Sequence, residues 1–199
     1  MKEQWGTDLM KMERILPFAK SILKKAVQPG DIAVDATLGN GHDTVFLAEL
    51  VGETGKVFGF DVQMEAIRSS EERLQQNKLT ERVTLFHAGH EQLSLMIPSE
   101  WQGKITGAIF NLGYLPGSDK TIFTRPETTI AAIEQLLEWM APEGIIVLVI
   151  YHGHEQGAVE RDSLLEYCQQ LDQKRAHVLQ YQFINQQNNP PFIVAIERR

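Results

Sequence analysis

The sequence holds one cysteine, Cys168, in 199 residues, so no internal disulfide can form and a cysteine-built zinc cage would need other ligands. No apolar run approaches the roughly 20 residues that cross a bilayer, and the N-terminus lacks the charged-then-apolar pattern of a signal peptide. The expectation is a cytoplasmic chain with no membrane partner. Basic charge is also scarce. With 19 Lys and Arg against 26 Asp and Glu, the formal net charge is −7, which argues against indiscriminate polyanion binding, because cations that neutralise phosphates supply that affinity. Neither a repeat nor a low-complexity linker divides the chain. A hydrophobic share of 43% with 23% charged residues suits one compact domain over residues 1–199.

What basic charge there is gathers early. Lys11, Arg14, Lys20, Lys24 and Lys25 share residues 1–30 with Ile15, Leu16, Phe18, Ala19, Ile22 and Leu23, which recur at helical spacing and predict an amphipathic helical segment. A solvated helix face and a phosphate-binding stripe both fit these charges.

After Pro29-Gly30 the chain alternates. "DIAVDATLGNGHDTVFLAEL" reads as strand, glycine turn and helix. "KVFGFD", "RVTLFH" and "ITGAIFN" read as strands, residues 63–77 and 128–140 as helices, and "IIVLVIY", following Pro142 and Gly144, as a central strand buried on both faces. A helix over 159–171 leads to "AHVLQYQFIN" and "PFIVAIER", a closing antiparallel hairpin. The prediction is an α/β, Rossmann-like fold: a seven-stranded, mostly parallel, doubly wound sheet whose ligand lies beyond the carboxyl ends of the strands.

Candidate ligand-binding residues cluster at those ends. Gly39, Asn40 and Gly41 form a turn that lets backbone N–H groups approach a ligand as a helix begins. Asp61 ends the next strand, where an acidic side chain meets a ribose diol in dinucleotide-type folds. A nicotinamide enzyme would place a third Gly or Ala where Thr44 stands, so that reading ranks second. S-adenosylmethionine has no phosphate and needs polar groups instead, which Asp35, Asn40, His42, Asp43 and Thr44 can supply; Asp43 and Thr44 equally suit a helix start. Gln63 can support the ribose or adenine, and Gly89, His90 and Glu91 lie near the expected adenine position. His87 and His177 read as ordinary strand-end residues.

The fourth strand ends in "FNLGYLPG", which resembles the Asn/Asp-Pro-Pro-Tyr/Phe motif of amino-methyltransferases, with Leu112-Gly113 in place of Pro-Pro. That resemblance implies that Asn111 and the Leu112 carbonyl accept hydrogen bonds from a target amine while Tyr114 stacks on its base. In-line methyl transfer chiefly requires a positioned lone pair, and an alkylammonium must first lose a proton. Tyr151, His152 and His154 follow the fifth strand on the same rim and can handle a proton or contact substrate, or form a polar loop that caps the next helix. Asn111, Tyr114 and His152 are the catalytic candidates, and Asn111 is also a candidate cofactor contact. The spacing His152-Gly153-His154-Glu155, with His90, is also compatible with a metal, but no HExxH helix or cysteine pair accompanies it, and none is expected. Asn185, Asn188, Asn189, Pro190 and Pro191 suit a hairpin turn.

Taken in order, "ERILPFAKSIL", "VDATLGNGHDT", "FDVQ", "FNLGYLP", "YHGHEQG" and "NNPPF" resemble the bacterial putative rRNA methylase family over nearly the whole chain. The resemblance implies a class I S-adenosylmethionine-dependent methyltransferase acting on tRNA, at the exocyclic amine of 5-aminomethyl-(2-thio)uridine in the wobble position of the anticodon. It carries cofactor contacts onto Asn40, Asp43, Asp61, Gln63 and His90, substrate placement onto Asn111 and Tyr114, and implies a homodimer. The alternatives are an rRNA or small-amine methyltransferase and, from another class, a non-catalytic cofactor-binding module.

Overall fold

The structure, a computed structural model, describes residues 11–113, 123–153 and 155–199. Seven strands, β1 (Ile32–Asp35), β2 (Lys56–Asp61), β3 (Val83–His87), β4 (Ile105–Leu112), β5 (Met140–Ile150), β6 (Ala176–Tyr181) and β7 (Phe192–Arg198), form one sheet in the order β3-β2-β1-β4-β5-β7-β6. The first five run parallel, and β7 runs antiparallel to both β5 and β6. The predicted α/β sheet with its closing hairpin is therefore present. Its strand order reverses between β1 and β4, which opens a crevice at their carboxyl ends.

Adjacent residues of a strand point to opposite faces, and here both faces are buried. Ile109 and Val147 pack with α1 (Ile15–Ala26), α2 (His42–Leu50) and α3 (Met64–Gln76), whereas Phe110 and Leu148 pack with α4 (Leu93–Met96), α5 (Pro126–Trp139) and α6 (Glu155–Gln170). This explains why the central strands read as unbroken apolar runs. The amphipathic pattern of the N-terminal segment becomes α1, which buries Ile15, Ala19, Ile22 and Leu23. It closes tightly on β4 because Gly107 has no side chain: a Cβ there would lie 2.4 Å from Val27 Cγ2.

Several boundaries differ from the sequence reading: α6 begins at Glu155, ahead of the expected 159, and β6 ends at Tyr181, inside "AHVLQYQFIN". The fifth strand begins at Met140, not beyond Gly144. The register steps from Ile105↔Met140 to Gly107↔Ile145, so extra residues of β5 bulge out around Glu143, whose φ is 65°. Pro142 and Gly144 mark that bulge and do not separate two elements. Among the described residues, no helix is long and apolar enough to cross a membrane.

Candidate functional site

A cleft of about 1230 Å³ lies over the carboxyl ends of the parallel strands. The loop after β1 forms its floor because it continues the sheet's pairing. The Ala36 N–H donates to the Ile109 carbonyl (2.9 Å) and the Leu38 N–H to that of Phe60 (3.1 Å). Gly41 then turns the chain into α2 with φ 74°, and a Cβ on it would meet the Ser70 Cα and Oγ of α3 at 2.9 Å. Gly41→Ala therefore combines left-handed strain with a backbone clash and should cost about 2–4 kcal/mol. Thermal or urea unfolding measures it; an unchanged midpoint would refute the close packing.

Asp35 is fully buried and does not line the cleft. Its carboxyl accepts from Thr44 Oγ1 (2.6 Å) and from the Thr37 N–H (3.2 Å), bracing β1 against α2. Burial, then the nearby Asp43 charge, pushes its pKa up to about 7. The raised value means that the folded state holds a proton the unfolded chain has released. This contribution to stability is full at pH near 4 and is lost as pH rises to about 7. Asp35→Asn should flatten the fall in stability over that interval, as urea titrations at several pH values would show; an unchanged slope would exclude Asp35 as its source.

Asp61 ends β2 as a built acceptor. Its Oδ2 accepts from the Gly39 N–H (3.0 Å) and its Oδ1 from the Gln63 N–H (2.9 Å), so two loops hold the carboxylate while its remaining lone pairs stay available to the cleft. Asn40 is pinned from outside, where Arg73 Nε donates to its carbonyl at 2.6 Å. His90 is 7% exposed, and burial lowers its pKa. With Nδ1 3.0 Å from the Ala36 carbonyl, the neutral ring donates there and presents Nε2 as an acceptor, which has no partner among the described residues. A buried acceptor of this kind calls for a donor from a ligand or an ordered water. Glu91 folds its carboxylate back over Gly89, where a Cβ would lie 2.2 Å from it.

Asn111, at the end of β4, is tied at two points. Its N–H donates to Thr37 Oγ1 (2.7 Å) and its Nδ2 to Asp43 Oδ2 (2.9 Å). The Leu112 carbonyl accepts the Tyr151 N–H at 3.0 Å, so one of its two lone pairs is already used. Gly113 has φ 149°, and a Cβ would approach Tyr151 Cβ to 3.3 Å, which restricts this position to glycine. His152 is 7% exposed, with its ring edge-on to Phe192 at 5.4 Å and Nδ1 3.4 Å from Arg161 Nη1. Burial and the Arg161 charge lower its pKa.

The cleft thus brings together Gly39, Asn40, His42, Asp43, Asp61, Gln63, His90, Glu91, Asn111 and His152. It does not bring Asp35, Gly41 or Thr44 to its surface. Tyr114 and His154 lie outside the described residues. The sequence reading missed Thr37, which anchors Asn111, and assigned no role here to Leu16 and Lys20, which line the cleft from α1. Thr37 had a signal in its place two residues past a strand-end Asp; the other two become neighbours only through the packing of α1.

A family model described as "Putative rRNA methylase" matches residues 57–197. A curated relative, "tRNA (mnm(5)s(2)U34)-methyltransferase, chloroplastic" from Arabidopsis thaliana, is 31% identical over 188 residues, which are 90% of this chain and 68% of the relative. The crystal structure of a putative rRNA-methylase from Clostridium thermocellum superposes with a TM-score of 0.91 at 43% identity, covering 96% of this chain and all (100%) of the other. A putative methyltransferase from Streptococcus mutans, solved in complex with SAH, gives 0.85 at 37% identity, covering 94% and 99%.

Proposed function

Because the chain belongs to the putative rRNA methylase family and is a methyltransferase that uses S-adenosylmethionine, we propose that it methylates the aminomethyl nitrogen of 5-aminomethyl-(2-thio)uridine at the wobble position of tRNA. The observation that carries this reading is the Asn111 carboxamide, held by Asp43 in the same cleft as Asp61 and His90.

The residues of the cleft fit the cofactor. The orphaned His90 Nε2 suits the amino group of adenine, and the braced Asp61 carboxylate suits the ribose hydroxyls. Gln63 and Glu91 flank these two groups. Gly39, Asn40, His42 and Asp43, around the start of α2, suit the charged methionine end, where a helix N-terminus favours a carboxylate. Asp35, Gly41 and Thr44 act behind them by holding the loop in shape. When bound, the cofactor supplies a methyl group on a sulfonium, open to in-line attack by a neutral nitrogen. Asn111 is assigned to receive that nitrogen through its carboxamide oxygen, Tyr114 to stack on the base, and His152, whose pKa burial and Arg161 lower, to take a proton.

The test is incubation of tRNA lacking the final methyl with the protein and S-adenosylmethionine, followed by mass spectrometry of its nucleosides. Gain of one methylene on aminomethyl-uridine establishes the substrate. Transfer to rRNA fragments or free amines, with none to this tRNA, would replace it. Tyr114→Ala should lower tRNA methylation by about 10-fold to 100-fold, the worth of one base–aromatic stack, and leave cofactor affinity intact; equal loss of both would show a folding defect. Residues 1–199 are proposed to act as one domain, in the cytoplasm, as a homodimer engaging the anticodon region. Sedimentation with and without an anticodon stem-loop tests the assembly.

A further inference from the structure

We propose that Asp43 and Lys20 form a positioning pair that locks the Asn111 carboxamide with its oxygen toward the cleft, so that the site accepts a nitrogen still carrying hydrogen. The inference rests on the methyl-transfer reading above and deepens it.

An Asn side chain can present either edge, and its neighbours decide which. A carboxylate offers only acceptors, so the edge of Asn111 facing Asp43 must be the NH₂ group, as the 2.9 Å contact from Nδ2 to Asp43 Oδ2 shows. A turned amide would set oxygen against oxygen. The other carboxylate oxygen of Asp43 lies 3.6 Å from Lys20 Nζ. That ammonium is itself held 4.9 Å above the Phe46 ring, where cation–π attraction adds to the ion pair. The backbone of Asn111 is fixed independently by the Thr37 hydroxyl at 2.7 Å. Asp43 of α2 thus holds the amide at the end of β4 and is itself held by Lys20 of α1. Its Oδ1 has no hydrogen bond among the described residues, and Asn111, Asp43 and Lys20 all line the cleft.

The chemistry follows from that orientation. An acceptor oxygen at the reacting position binds an N–H and turns the nitrogen lone pair away from itself. As the lone pair forms the new N–C bond and the C–S electron pair stays on sulfur, positive charge grows on nitrogen. The N–H bond to Oδ1 strengthens during the step, which is the condition for catalysis. The substrate ammonium has given up its proton before attack, the step assigned to His152 above, and the methylated product leaves as an ammonium ion. Presenting NH₂ instead would repel the same hydrogen atoms.

The test has two arms. In ¹⁵N-labelled protein, the side-chain amide signal of Asn111 is identified by its loss in Asn111→Ser. Its solvent exchange should accelerate about tenfold or more in Asp43→Ala, the loss of one charge-assisted hydrogen bond, and to a lesser degree in Lys20→Met. Asp43→Asn, which preserves size but can face Asn111 with either edge, should show the same direction and guards against misfolding of the alanine variant. In the second arm, kcat at saturating S-adenosylmethionine should fall in Asp43→Ala and Asp43→Asn. An Asn111 amide indifferent to Asp43 overturns the proposal, as does a kcat deficit that excess cofactor restores, which would leave Asp43 a cofactor contact alone. If the native protein fails to methylate tRNA, the substrate reading falls, while the exchange measurement still decides the pair.

Discussion

Replacing Asn111 with alanine should lower methyl transfer by about 100-fold or more, through lost positioning of the reacting nitrogen, while affinity for S-adenosylhomocysteine changes little. The structure separates these two effects. The backbone N–H of Asn111 keeps its bond to Thr37 Oγ1 whatever side chain is present, so the strand end stays in place. Asp43 keeps its Lys20 partner, so no buried charge is stranded. What disappears is the acceptor proposed to meet the incoming nitrogen. Single-turnover kinetics at saturating cofactor, beside calorimetry with S-adenosylhomocysteine, checks this. A rate that survives the substitution would remove Asn111 from the reaction; a rate and a melting temperature that fall together would make its role structural.

Asp61→Ala should weaken cofactor binding by about 3 kcal/mol or more, on the order of 100-fold in Kd, because the two charge-assisted bonds proposed to the ribose would be lost together. The damage extends beyond those bonds. The same carboxylate accepts the N–H groups of Gly39 and Gln63, so its removal frees the turn after β1 and the start of α3 at once. Asp61→Asn is no mild control, since its NH₂ group must face one of those two donors. Both variants should therefore bind poorly in calorimetry, with alanine weaker only where water cannot replace the missing oxygen. Unchanged affinity in either would remove Asp61 from the ribose site.

The ends of the strands were readable because chemistry and pattern meet there. Asp61 and Asn111 each break an apolar run with a polar side chain, and in a doubly wound sheet that break falls on the rim where ligands bind. Asp35 has the same sequence signature but a different fate. It lies under α2, and its carboxyl meets Thr44 instead of the cleft. Periodicity cannot separate a rim position from one covered by the next helix, since both follow an apolar strand. The bulge that starts β5 at Met140 was hidden for a related reason: Pro142 and Gly144 are turn residues by type, and only pairing with β4 draws them into the ladder.

By itself the sequence determined the order of strands and helices, the two-sided burial of the sheet and the polar residues at its carboxyl ends, because these depend on short-range alternation of apolar and polar side chains. The tertiary structure alone decided which of those residues meet. Lys20 reaches Asp43 from another helix, and Thr37 reaches Asn111 across 74 positions. Contacts at such separation depend on how the helices pack against the sheet, and local spacing carries no record of it.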